Sequence, residues 1–422
     1  MMSAHERNWA GNLTYSSVRI HRPTTVAEVQ EIVRSSSKLR ALGSRHSFNT
    51  IADTPEDLVS LEGLSRIVAL DRERGTVTVE AGIKYGHLGT YLHGEGFALH
   101  NLASLPHISV AGACATATHG SGDRNGNLAT AVTALEFVAA DGELVRLSRE
   151  ADGDAFLGAV VHLGALGVIT QMTLAIEPTY TVQQDVYVDL PVAQLEANYE
   201  AIESDAYSVS LFTNWQGDAV GEIWLKRRLP DGVARAMAPE FFGAMLAANA
   251  LHPIPALSAA NCTVQGGEPG PWHERLPHFR MDFTPSSGDE IQTEYFVPRP
   301  HAVAAMRAIT AIRDQLAPVL MISEVRTLAA DELWMSPCYR QECVALHFTW
   351  HPNAAAVQAV LPTLEAQLAP FEPRPHWGKV FAMPAAQVQA RYPRLGDFRA
   401  LVQQYDPAGK FRNAFIDTYI FG

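Results

Sequence analysis

Between Ala103 and Gly122 the chain reads ASLPHISVAGACATATHGSG, a run dense in Gly, Ala, Ser and Thr. Side chains this small bring backbone close to whatever packs on it, a neighbouring element or a bound ligand. Ser109 reads as the N-cap of a short helix inside the run, whose N-terminal N–H groups and positive dipole end would favour an anion. Tight packing of one helix on another explains the same composition, so the run alone leaves both readings open.

A second stretch bears on that choice. KLRALGSRHSFN, from Lys38 to Asn49, is a strand-like run that ends in a small polar turn carrying His46. Backbone N–H groups in such a turn can meet phosphate oxygens. A histidine in a surface turn can equally be solvated and idle.

With 422 residues, 47% hydrophobic and 18% charged, the chain has length for two or three domains with ample core. A net charge of −13 with both signs interspersed lacks the basic patch that a nucleic-acid or anionic-membrane partner needs. A small-molecule partner is expected instead. The N-terminus has no apolar core of signal-peptide length, and no later stretch approaches the roughly eighteen apolar residues of a membrane span, so a cytoplasmic location is expected. Cys114, Cys262, Cys338 and Cys343 lack zinc-site spacing and are too few for a disulfide framework, which implies reduced thiols and no metal.

Residues 15–20 are expected as a strand, and Thr25-x-x-Glu28 as a capping box that opens an amphipathic helix through Val26, Val29, Ile32 and Val33. Further strands are expected at 58–61, 67–70 and 76–80, followed by a helix over 85–93. Asp141-Gly142, between apolar runs, is a hairpin signal. The strand 168–175 closes at Pro178, where a domain boundary is placed; the mixture of short strands and helices up to there is α+β in character. Beyond it, strands at 181–188, 207–214, 222–228, 290–297, 319–328 and 344–351 alternate with helices at 192–202, 301–316 and 354–368. The Pro- and Gly-rich stretch 261–287 reads as an irregular loop.

Common catalytic motifs are missing. The nearest match to a dinucleotide fingerprint, Gly120-Ser-Gly122-Asp-Arg-Asn-Gly126, is off by one and has no helix after it. His273 and His278 stand one residue too far apart for a zinc-protease pair, and Pro277 would break the helix between them. What remains is alternation on two candidate strands. Glu324 and Arg326 share one face of the first, His347 and Thr349 one face of the second. If the strands pair with those faces aligned, a carboxylate, a guanidinium, an imidazole and a hydroxyl converge; an ordinary sheet with one wet face would show the same alternation. A third element, RPHWGKV, holds Lys379 in a rigid aromatic turn.

Taken together, LGSRHSFN, ASLPHISVAG, ATHGSG and RPHWGKV resemble the flavin-dependent oxidases of the vanillyl-alcohol oxidase type, and within them the bacterial alditol or xylitol oxidases. The resemblance runs from NWAGNLTY at Asn8 to DPAGKFRNAF near the C-terminus. It implies a two-domain flavoprotein: an FAD-binding domain over 1–177, an α/β substrate (cap) domain over 178–372, and a C-terminal segment, 373–422, returning to the active site. It implies that Leu42, Gly43, Ser44, Arg45, His46 and Ser47 form the FAD pyrophosphate loop, with His46 joined covalently to the flavin. Ser109, Gly112, Thr116, Thr118, His119, Gly120, Ser121, Gly122, Gly167 and Val168 would carry the other cofactor contacts. Ser104, Glu324, Arg326, Thr349 and Lys379 match the polyol-contacting positions, with His347 nearby; Lys379, Arg326, Glu324 and His347 are the catalytic candidates. The implied reaction oxidises a primary alcohol and reduces O2 to hydrogen peroxide, in an enzyme that is a monomer. Relatives commonly carry glycine where this chain has Arg45; if that position needs positive φ, the side chain costs about 1 kcal/mol. An aldonolactone oxidoreductase, an alditol dehydrogenase with another electron acceptor, and a flavin- or polyol-binding protein without turnover are the competing readings.

Overall fold

A computed structural model describes residues 6–283 and 290–422. The first layer is a three-stranded parallel sheet in which Asp57–Ser60 lies between Arg19–His21 and Leu39–Leu42. The Val26–Ser35 helix provides the crossover that parallel strands require. Its start is the capping box: the Glu28 N–H donates to the Thr25 hydroxyl at 3.2 Å and the Glu28 carboxylate accepts from the Thr25 N–H at 3.2 Å, while Val29 and Val33 are buried. The first strand is shorter than the alternation predicts. Residues 14 and 15 pair instead with the preceding loop, through the Arg7–Thr14 bridge and the Tyr15 N–H to Glu6 carbonyl bond, leaving only Arg19–His21 for the sheet.

A five-stranded antiparallel sheet follows, in the order Ile67–Asp71, Thr76–Glu80, Val168–Ala175, Val132–Val138, Leu144–Ser148. The last two strands turn at Asp141-Gly142, where φ at Gly142 is +83° and the Asp141 carboxylate accepts from the Glu143 N–H at 2.9 Å. The largest sheet has ten strands. Its centre runs Thr181–Pro191, Ala219–Leu229, Ser208–Thr213, Leu320–Leu328, Cys343–Trp350, Ile291–Pro298, each antiparallel to its neighbour. The helix Ala354–Leu368 packs behind this sheet and receives the Tyr295 hydroxyl on Glu365 at 2.7 Å. The helix expected over 301–316 breaks into Ala302–Thr310 and Arg313–Leu316, because a tightened Ile312 N–H to Ile309 carbonyl bond ends the first ladder with Ile309, Ile312 and Leu316 all buried. The stretch 261–283 is irregular but packed, with Trp272 and Arg275 buried; 284–287 lie outside the described residues. All four cysteines are free and buried, and among the described residues no helix is long and apolar enough to cross a membrane.

The C-terminal segment adds the short strand Arg374–Pro375 to the large sheet and then returns to the first layer, where the Leu39 N–H donates to the Lys410 carbonyl at 3.0 Å. Arg40 is the tie at that junction. Its buried guanidinium donates to the carbonyls of Gly164, Phe411, Leu163 and Ile51, the first two at 2.7 Å and the third at 2.8 Å. Removing it strands the carbonyls of Gly164, Leu163 and Phe411, while that of Ile51 keeps the Asn413 amide at 3.1 Å. Arg40→Met should therefore lower the unfolding free energy by about 3 kcal/mol, read from the urea midpoint. An unchanged midpoint would show that these carbonyls are not held by the guanidinium.

Candidate active site

Register decides what the large sheet presents. Residues directly opposite in an antiparallel pair lie on the same face. His347 stands opposite Glu324 on one side and Glu294 on the other, and Thr349 opposite Ile322 and Gln292. One face thus carries, strand by strand, Glu324 and Arg326, then His347 and Thr349, then Gln292 and Glu294. This face is not wet: Glu324 is 5%, Arg326 6%, His347 8% and Thr349 6% exposed, and every residue of Cys343–Trp350 is buried. Buried polar groups must satisfy one another or a ligand.

They do both. Arg326 donates to Glu294 at 2.7 Å, lies 3.5 Å from Glu324 and 3.4 Å from the Ser104 hydroxyl. Burial pushes the Glu294 carboxyl up, but His119 (3.2 Å away) and Arg326 outweigh it and hold the group well below the ordinary range. Burial likewise pushes Glu324 up, and Arg326 and His278 pull it far down, so both carboxylates are ionised. Burial drives His347 down to about 3, reinforced by Lys379; it is a neutral imidazole.

Lys379 reaches the same face from the turn after Arg374–Pro375. That turn runs alongside Ile291–Pro298, with the His376 N–H on the Glu294 carbonyl and the Val380 N–H on the Gln292 carbonyl, both at 3.0 Å. The Lys379 ammonium donates to Gln292 Oε1 and lies 4.9 Å from the Phe48 ring centroid. Burial lowers its pKa to about 8; Glu294 opposes the shift, Arg326 adds to it, and Glu290 and Glu324 oppose it.

One continuous cavity joins this face to the loop Leu42–Ser47, every residue of which lines it, as do Ser104, Gly112, Thr116, Thr118 and His119. His46 is half-buried among them, with its ring stacked on Trp9 at 5.2 Å and both ring nitrogens enclosed without a hydrogen-bond partner. Gly43 and Gly112 face the same hydroxyl: a Cβ on either would lie 2.6 Å or 2.8 Å from Ser109 Oγ. Both are therefore small because the Ser109 hydroxyl packs on them, beside the cavity that they line.

Comparison with known proteins gives this cavity a context. Family models described as an FAD binding domain and as D-arabinono-1,4-lactone oxidase match residues 19–148 and 287–419. An alditol oxidase of Streptomyces sp. is 49% identical over 425 residues, covering 100% of both chains. The chain belongs to the alditol oxidase family, flavoenzymes of the vanillyl-alcohol oxidase type. An L-gulono-1,4-lactone dehydrogenase of Mycobacterium tuberculosis is 30% identical over 98% of each chain. Cholesterol oxidase from B. sterolicum shares the fold with a TM-score of 0.77 at 15% identity, over 99% of this chain and 96% of that one. A carbohydrate oxidase from Microdochium nivale gives 0.74 at 15% identity, over 96% and 92%.

The cofactor of this flavoenzyme is FAD, and the residues present fit it: a half-buried imidazole whose enclosed ring nitrogens have no partner, in a cavity lined by the small residues Gly43, Ser44, Gly112 and Thr116 that continues to the sheet face. Not every residue expected at the cofactor lines the cavity. Gly120, Ser121 and Gly122 do not; they are pinned to the large sheet, Ser121 donating to the Val209 carbonyl and the Gly122 N–H to that of Thr327 at 2.9 Å. Gly167 is small because a Cβ there would meet the Val138 carbonyl at 2.4 Å, and Val168 is buried in its strand beside it. Ser109 caps the six-residue helix Val110–Ala115 by position only; its hydroxyl accepts from the Ser44 N–H at 3.3 Å, and its own N–H donates to the Ser44 hydroxyl at 3.0 Å.

Gln292 and Glu294 went unread in the sequence, and His278 was weighed only as a zinc ligand and set aside. The first two alternate in EIQTEYF as plainly as Glu324 and Arg326 do in their strand; His278 comes from an irregular loop and has no periodic signal. Arg45 has φ +64°, the conformation that favours glycine, and its side chain pairs with Glu6 at 2.6 Å where both are partly exposed. Such a pair contributes little. Arg45→Gly should raise stability by about 1 kcal/mol in urea unfolding; a loss would mean that the Glu6 pair outweighs the backbone strain.

Proposed function

We propose that this flavoenzyme oxidises the terminal primary alcohol of alditols of the xylitol and sorbitol type to the aldose, with O2 reduced to hydrogen peroxide. Residues 1–177 hold FAD, 178–372 form the substrate cap, and 373–422 return Lys379 to the site. The reading rests on one observation: a buried face dense in donors and acceptors, with its cations balanced by carboxylates, in the cavity that His46 also lines. A chain of neutral hydroxyls needs that density, since each unmatched buried group costs about 1 to 3 kcal/mol.

When bound, FAD supplies the acceptor for the carbinol hydride and passes the two electrons to O2. The chain's residues handle the rest. Lys379, with its pKa near 8, is in part a neutral amine at physiological pH and takes the hydroxyl proton. Arg326 stays a cation and stabilises the developing alkoxide, held in place by Glu294. Glu324, Ser104 and Thr349 bind the remaining hydroxyls, and neutral His347 offers a donor and an acceptor without charge. His46, with both ring nitrogens unpaired, would be the residue that holds the flavin covalently, and burial, which presses its pKa down to about 3, keeps it a neutral imidazole.

Anaerobic mixing with xylitol should bleach the flavin band, and air should restore it with peroxide; bleaching by an aldonolactone alone would assign the site to the lactone chemistry of the 30% identical relative instead. Lys379→Met should cut the rate of flavin reduction by about 10² to 10⁴ while FAD stays bound. In the wild type that rate should rise as pH passes through about 8 and then level, because the amine is the active form above its pKa; the variant should lack this limb. His46→Ala should release flavin on acid precipitation, and retention in the pellet would remove His46 from the linkage.

A further inference from the structure

Lys226, on the Ala219–Leu229 strand, is 1% exposed and makes no ion pair among the described residues. Its Nζ donates to the carbonyls of Leu276 at 2.5 Å and Pro277 at 3.1 Å, and meets His278 Nδ1 at 3.0 Å. The other nitrogen of that ring, Nε2, lies 2.7 Å from Glu324 Oε1. A buried cation is thus linked through one imidazole to a carboxylate of the cavity face.

Counting protons fixes the direction of the link. The two carbonyls and the ionised carboxylate only accept. An ammonium has three protons and here three partners, so the third proton goes to Nδ1, and the ring's own proton sits on Nε2, donating to Glu324. If the extra proton moves onto the ring, Nε2 still carries its own. Both arrangements leave a single positive charge in the Lys226–His278 pair and an N–H on Glu324 Oε1. The charged groups facing the ring are Lys226, Glu324 and Arg326, and its edges are closed by Phe212 at 5.5 Å and Trp224 at 5.1 Å. Burial lowers His278 to about 4 and Lys226 to about 7, so the ammonium is the better holder of the charge.

Among the described residues no group donates to Glu324 Oε2, while Oε1 has both His278 and the Arg326 side chain at 3.5 Å. We propose that Lys226 and His278 are positioning residues that lock Glu324 through Oε1 and so present Oε2 as a fixed acceptor for one hydroxyl of the substrate. The proposal rests on the polyol reading for the identity of that hydroxyl. Its geometry stands without it.

Nitrogen-15 NMR of histidine-labelled, flavin-loaded enzyme tests the geometry, with the His278 signals identified as those lost in His278→Gln. A protonated Nε2 is expected; a bare Nε2 overturns the proposal whatever the substrate. Kinetics on xylitol test the consequence. His278→Leu should raise KM by about tenfold to a hundredfold with kcat changed by less than about threefold. His278→Gln, whose amide can accept from Lys226 and donate to Glu324, should bring KM back toward the wild-type value. A leucine variant with wild-type KM, or a glutamine variant no better than leucine, overturns the positioning role. Wild-type enzyme that ignores xylitol overturns the polyol reading alone, and the protonation of Nε2 then decides the link by itself.

Discussion

The site depends on the Glu294 carboxylate. It is fully enclosed, yet it receives Arg326 at 2.7 Å and lies 3.2 Å from His119, on a strand whose backbone also holds the turn that carries Lys379. Charges buried in this way persist only when paired, and removing one partner strands the other at a cost of several kcal/mol. Neutralisation at Glu294 therefore lets a guanidinium and a lysine amine stand together under a ligand that carries no charge. With the balance supplied by the protein, neither the guanidinium nor the lysine has to be compensated by a bound molecule.

Much of this was legible in the sequence, for reasons that differ by residue. Glu324 with Arg326 and His347 with Thr349 were readable because a strand repeats every two residues whatever its surroundings. That these pairs meet depends on register, which the two strands do not encode separately; the structure sets His347 opposite Glu324. The same two-residue rhythm was available at Gln292 and Glu294. Gly120, Gly122 and Gly167 sit where another backbone comes close. Small residues allow close approach of a ligand or of another backbone equally well, and here the neighbours are the carbonyls of Leu102, Tyr207 and Val138. Composition cannot tell these apart, because the steric requirement is identical. Arg45 was legible as a departure, and its φ of +64° shows the backbone keeping a glycine-like shape after the glycine is gone.

The loop that carries His46 and the turn that carries Lys379 are stitched directly together: the Phe48 N–H donates to the Gly378 carbonyl at 2.7 Å, and the Asn49 amide to those of Trp377 at 2.9 Å and Lys379 at 2.7 Å. The last of these bonds joins positions 330 residues apart in the chain. During synthesis on the ribosome the first layer can fold early, but its loop has no partner until the far end of the polypeptide emerges. A chain that stops short of position 373 thus holds Glu324, Arg326 and His347 but lacks the lysine that reaches their face. The last component of the site to be made is therefore the turn that both carries Lys379 and fixes the loop of His46.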